Sequence, residues 1–214
     1  MDFDSDTQRL IDDFVWARRE MKEPDDDRLN PKRCHLARIK KKWWKVRWDH
    51  WSDDFYPKQR LLKFVANLDH QRKTGSGLLL HGTTGKGKTS AAMLIAKEII
   101  RRDGFPLVVD AWEIPKIEIE DKELAHKMHA TSFLIIDDLG AGAGKEASQA
   151  FVEQLVRDRD ARELPMIITT NLLPSMEEEI PEEDKKDKDK TLGKVVGEAC
   201  ARVILERCMK VKFE

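Results

Sequence analysis

The run Leu78-Leu79-Leu80-His81-Gly82-Thr83-Thr84-Gly85-Lys86-Gly87-Lys88-Thr89 decides how this chain folds. Leu78 to His81 reads as a short buried strand, too brief for a helix. Gly82, Gly85 and Gly87 then free the backbone to turn its N–H groups inward around an anion. Lys88 adds a cation, and Thr89 adds a hydroxyl able to ligate a divalent ion. From Lys88 to about residue 102 the pattern is helical, and the dipole of the first turn also favours an anion. Strand, glycine loop and helix in this order make Gly-x4-Gly-Lys-Thr a P-loop. The candidate phosphate-contacting residues are Gly82, Thr83, Thr84, Gly85, Lys86, Gly87, Lys88, Thr89 and Ser90. The implied ligands are ATP and Mg²⁺.

Downstream, apolar strand patterns at 107–109, 133–136, 166–169 and 209–213 alternate with helical patterns at 146–162 and 192–206. This alternation predicts an α/β fold, a three-layer sandwich around a mostly parallel sheet. The strand Phe133-Leu134-Ile135-Ile136 runs into Asp137-Asp138. Carboxylates so placed reach the C-terminal edge of the sheet, where ligands bind. Asp137 is expected to hold Mg²⁺, directly or through water, and Asp138 to polarise the attacking water. Asn171 follows the strand Met166-Ile167-Ile168-Thr169-Thr170. It could contact the γ-phosphate or the attacking water, or simply form a turn before Leu172-Leu173-Pro174. Arg202 could reach a neighbouring subunit's γ-phosphate as an arginine finger. It could also be an ordinary surface arginine, and Arg207 is its local competitor. Residues 177–190 are almost all charged and read as a solvated loop.

Upstream the chemistry changes sign. Residues 1–27 carry ten acids against four bases, and residues 30–48 carry eight bases and no acid, which suggests separate faces for separate partners. The net charge of −1 therefore names no partner. Leu10, Ile11, Phe14 and Val15 give residues 7–21 the pattern of an amphipathic helix, and a second helix is expected over about 32–46. Another starts near Pro57 and carries Leu61, Leu62, Val65 and Leu68. The run from Arg38 to Trp48 interleaves lysines with indoles. Cations of this kind neutralise nucleic-acid phosphates, and exposed tryptophans stack on unpaired bases. Alternatively Trp44, Trp48 and Trp51 form an apolar stripe against the core. The glycine-rich loop at 140–145, ending in Lys145, is a plain linker or a DNA-backbone contact. Cys34, Cys200 and Cys208 make neither a disulfide framework nor a zinc spacing, which fits a reducing cytoplasm. No signal peptide and no bilayer-spanning run is expected.

The order P-loop, Ile135-Ile136-Asp137-Asp138-Leu139-Gly140, Ile168-Thr169-Thr170-Asn171-Leu172, then Leu192-Gly193 through Gly197-Glu198 to Arg202 resembles the AAA+ ATPases of the DnaC/IstB type. These are bacterial and phage helicase loaders, together with transposition ATPases. The resemblance covers residues 78–213 and implies a sheet ordered 5-1-4-3-2. It makes residues 1–56 a helical segment binding partner or DNA, and residues 57–214 the AAA+ domain. By position Lys88 and Thr89 are Walker A, Asp137 and Asp138 Walker B, Asn171 sensor 1 and Arg202 the arginine finger. The resemblance implies an Mg²⁺-dependent ATPase that binds single-stranded DNA and a replicative DNA helicase, and self-associates into a ring or spiral. Slow hydrolysis is expected, because many AAA+ enzymes have Glu where Asp138 stands and the sensor 2 arginine falls at or beyond Glu214. An IstB-like transposition ATPase and a nucleotide-gated helicase-binding module with little turnover are the alternatives.

Overall fold

A computed structural model describes Leu29 and residues 31–140, 146–175 and 191–214. The expected helix at 7–21, the glycine-rich loop from residue 141 and the charged loop at 177–190 lie outside these residues. The described residues form a five-stranded sheet of β1 (Gly77–Gly82), β2 (Pro106–Asp110), β3 (Phe133–Leu139), β4 (Met166–Thr170) and β5 (Cys208–Phe213). Its order is β2-β3-β4-β1-β5 and every neighbouring pair is parallel. This is the expected 5-1-4-3-2 order read from the other edge.

Parallel strands are covered on both faces, so each must be apolar on both. Along β1, Leu78 and Leu80 point into one core and Leu79 into the other. The first core lies under α1 (Pro31–Leu36), α2 (Tyr56–Ala66), α3 (Leu68–Thr74) and α4 (Lys88–Arg101). The second lies under α5 (Ile114–Glu120), α6 (Lys122–Ala130), α7 (Glu146–Ala161), α8 (Leu192–Val196) and α9 (Glu198–Arg207).

Two differences from the sequence reading have identifiable physical causes. The helix expected at 192–206 is split by Gly197, whose φ of 84° and ψ of 144° no helix contains. The helix expected at 32–46 ends at Leu36. Arg38 is left-handed at φ 58°, and two short 3₁₀ turns, Lys41–Trp43 and Trp48–His50, follow. Tertiary partners take the backbone groups a helix would have used. The Ala37 carbonyl accepts from the Val108 N–H on the edge strand β2, and the Ile39 carbonyl accepts from Trp44 Nε1. Helices α5 and α6 were not expected, because Pro115 and Asp121 interrupt the apolar pattern. Pro115 sits in the first turn of α5, and the Asp121 side chain caps α6 through the Leu124 N–H.

The segment from Ala37 to Phe55 wraps the P-loop helix α4. That helix is buried on all sides from Ala91 to Ile100, including Lys97 and Glu98. Buried charges need partners, and the wrap supplies them. Lys97 Nζ donates to the carbonyls of Trp44 and Val46. Glu98 Oε1 accepts from Trp48 Nε1 at 3.1 Å and from Arg101 Nη1 at 2.7 Å. Trp48 is 8% exposed, and Trp51 meets Trp48, Phe55 and Phe213 edge-on. These two indoles therefore belong to the core rather than to a base-stacking surface. Trp48→Ala should lower unfolding free energy by about 3 kcal/mol, and Trp48→Phe by about 1 kcal/mol, as read from denaturant titration.

Candidate nucleotide-binding site

At the C-terminal edge of the sheet the loop after β1 faces the ends of β2, β3 and β4 across a cavity of about 350 Å³. Thr84, Gly85, Gly87, Lys88, Thr89 and Ser90 line it on one side, and Asp110, Asp137, Asp138, Thr169 and Asn171 on another. The P-loop closes through Gly87, left-handed at φ 97°, which caps the start of α4. The Trp51 ring lies 3.5 Å from where a Cβ at that glycine would sit, so the wrapping segment also backs the loop.

Lys88 Nζ is held over the loop by the carbonyls of Gly82 (2.8 Å) and Thr83 (2.7 Å). Burial lowers its pKa, and the charges of Asp138 and Asp137 oppose that shift. Asp137 Oδ1 accepts from Thr169 Oγ1 at 2.7 Å and Thr89 Oγ1 at 2.9 Å. Burial raises the pKa of this carboxyl; the two hydroxyls oppose the rise, and the nearby Asp110 and Asp138 add to it. Asp138 is left-handed at φ 57°, where the β3–β4 register shifts between Ile136 and Leu139. Its N–H donates to Thr169 Oγ1 at 2.8 Å, which leaves its carboxylate exposed. Asn171 Nδ2 reaches Asp138 Oδ1 at 3.4 Å. Strain at a non-glycine residue costs on the order of 1–3 kcal/mol and concentrates at functional sites.

The residues present fit the ligands the P-loop implies. A hydroxyl and a carboxylate 2.9 Å apart form a hard oxygen donor pair. Mg²⁺ takes few protein oxygens and keeps water and phosphate as its other ligands. Lys88, Thr89, Asp137, Asp138, Asn171 and Ser90 thus share one cavity. Arg202 does not join them: it is exposed on α9 and does not line the cavity. Its competitor Arg207 is tied to Asp160 by an ion pair of 2.5 Å.

Comparison with known proteins bears out the fold. The AAA family, described as the ATPase family associated with various cellular activities, matches residues 78–193. The chain belongs to the AAA family. That membership carries nucleotide binding and hydrolysis as family properties. No curated protein matches the chain in sequence. Among solved structures, the DnaC helicase loader is similar with a TM-score of 0.66 at 20% identity, over 82% of this chain and 100% of that one. DnaI is similar with a TM-score of 0.64 at 18% identity, over 82% and 92% of the two chains. AMPPCP-bound DnaA from Aquifex aeolicus gives 0.59 at 17% identity, over 79% and 50%. At these identities the likeness is one of fold. Among the described residues, no helix is long and apolar enough to cross a membrane.

Several cavity residues were not picked out from the sequence. Asp110 ends β2 as Asp137 ends its apolar run, so the same signal was present there. Thr169 was read only as strand, although it bridges both aspartates of this AAA site. Arg38, Lys40, Lys42 and Trp43 also line the cavity, and nothing in their spacing pointed to the P-loop.

His81, at the end of β1, has its pKa pushed down to about 4 by burial and by Lys212, Lys210 and Lys88. The folded state therefore binds fewer protons than the unfolded chain between the two pKa values. Stability is full above the unfolded value near 6.5 and falls as pH drops towards 4. His81→Asn should reduce the stability lost between pH 7.5 and 5 by about 1–2 kcal/mol, measured by thermal or denaturant unfolding at each pH.

Proposed function

We propose that this protein is an ATP-dependent loader of a replicative DNA helicase, acting on single-stranded DNA and assembling in the cytoplasm with ATP at subunit interfaces. The observation that carries the reading is the convergence of Lys88, Thr89, Asp137, Asp138 and Asn171 on one cavity. That site sits in a fold similar to the DnaC helicase loader along the whole of the latter's solved chain.

In this reading the nucleotide phosphates replace the Gly82 and Thr83 carbonyls as acceptors for Lys88, which then neutralises charge on the β- and γ-phosphates. Thr89 and Asp137 would hold Mg²⁺, which would supply further neutralisation of the phosphate oxygens. Thr169 fixes both Walker B residues: it donates to the Asp137 carboxylate and accepts from the Asp138 N–H, so Asp138 presents its own carboxylate towards the cavity. Asp138 accepts a hydrogen bond from the attacking water, and Asn171 steadies that carboxylate and water together. The exposure of Arg202 suits a side chain that works on a neighbouring subunit's nucleotide, and self-association into a ring or spiral follows from that role. The acidic segment within residues 1–27 docks the helicase.

Lys88→Ala should abolish DNA-stimulated ATP hydrolysis. Arg202→Ala should keep ATP affinity while losing hydrolysis by about 10³-fold, the scale of an arginine finger. Mixing the two variants should restore part of the activity, because one active interface then combines an intact P-loop with an intact finger. Pull-down of the replicative helicase should succeed with the full chain and fail after deletion of residues 1–27, which leaves the segment wrapping α4 in place. Capture of a transposase instead of a helicase would redirect the reading to a transposition ATPase.

A further inference from the structure

One wall of the cavity comes from outside the AAA match. Arg38, Lys40, Lys42 and Trp43 line the same space as Lys88, Asp138 and Asn171. Their place along the sheet edge sets which part of a nucleotide they would meet. The P-loop follows β1, and Asp137 lies on β3, two strands away. Asp110, which ends β2, is registered beside Asp137 one strand further on. Lys40 Nζ pairs with Asp110 Oδ2 at 2.7 Å. The cations therefore sit beyond the Walker B acids as seen from the P-loop, the side on which the nucleotide reading puts the last phosphate.

Arg38 stands there with an unmatched N–H donor among the described residues. Its Nη2 donates to Glu113 Oε2 at 2.9 Å, while its Nη1 is buried with no hydrogen-bond partner among the described residues. A buried donor left unmatched is unfavourable, and a ligand oxygen would satisfy it. The backbone holds the residue in place at a left-handed φ of 58°. On one side Ala37 accepts from Val108 on β2, and on the other the Ile39 N–H donates to Cys34. Lys42 stands over the Trp43 ring at 4.8 Å and keeps a third cation on the same wall. Three acids, Asp110, Asp137 and Asp138, face this wall, and a terminal phosphate placed among them needs added positive charge.

We propose that Arg38 and Lys40 bind the terminal phosphate of the nucleotide held by the same chain, so that the segment wrapping α4 distinguishes ATP from ADP. The inference rests on the nucleotide reading above and goes further by assigning a sensor in cis, on a part of the chain that precedes the family core. The Arg38 Nη1–H takes up a phosphate oxygen, and Lys40 shares its charge between Asp110 and the phosphate. Both residues continue into the backbone whose Trp44 and Val46 carbonyls grip Lys97. Loss of the phosphate is thereby felt along the wrap.

The test compares the full chain with the double variant Arg38→Gln, Lys40→Gln by calorimetric titration of AMPPCP and of ADP, each with Mg²⁺. AMPPCP affinity should fall by about tenfold or more and ADP affinity by less than about twofold, as expected for charge-assisted bonds made only to the last phosphate. Equal losses for both nucleotides, or no loss for either, would overturn the proposal. A loss confined to binding of a fluorescent oligo-dT would overturn it in favour of a nucleic-acid phosphate site. If Lys88→Ala binds both nucleotides as the unaltered chain does, the nucleotide reading itself fails, which is a separable result. Should the double variant lose its cooperative melt, Lys40→Gln alone decides. That side chain is 59% exposed and its replacement leaves the Ala37–Val108 bond intact. A selective loss of about threefold for AMPPCP supports the sensor, and an unselective or absent loss rejects it.

Discussion

Two threonine hydroxyls from different elements end on one oxygen of Asp137. Thr89 brings the first turn of α4, and Thr169 brings the end of β4. Thr169 also accepts from the Asp138 backbone, so the register shift in β3 is locked by the same hydroxyl. Three pieces of chain far apart in sequence are thus fixed around a partly buried carboxylate. Desolvation makes that carboxylate costly to leave unmatched, and the two short hydrogen bonds offset the cost. The position of the P-loop relative to the acids of the sheet edge follows from this one arrangement.

The wrap around α4 is the second constraint. A helix buried on all sides normally carries no charge, yet α4 carries Lys97 and Glu98 at 2% exposure each. The carbonyls of Trp44 and Val46 and the indole N–H of Trp48 are their partners. The segment and the helix therefore fit each other: the helix needs these polar groups, and the segment turns its Trp44 and Val46 carbonyls towards it. The P-loop begins the same helix, so the segment's placement bears directly on the phosphate site.

The sheet was legible because its strands are short apolar runs ending in chemistry: Leu78–Leu80 before the glycines, Phe133–Ile136 before two aspartates, Met166–Thr170 before Asn171. The P-loop and the acids could be placed from the chain alone, since strand order follows from the family resemblance and ligands gather where parallel strands end. The wrap was not legible. Its helical pattern over 32–46 is real as a periodicity, but the bonds that break it come from Val108 and from Lys97, 71 and 51 residues distant from their partners Ala37 and Val46. Local propensity carries no record of such contacts. Thr169 was hidden for a related reason: a threonine at a strand end is ordinary, and only the neighbouring strand makes it a bridge. For the same reason Arg38 and Lys40 read as part of a basic run and not as cavity residues.

The Ala37 carbonyl that accepts from Val108 has a further consequence. Strand β2 is an outer strand of the sheet, and an outer strand offers unpaired backbone groups as a template for another chain. A single carbonyl from the wrap occupies one of those groups in the middle of the strand, and α1 packs beside it. Intermolecular strand addition along β2 is thereby obstructed. Copies of this protein at high local concentration can then meet through side-chain surfaces without their sheets fusing edge to edge.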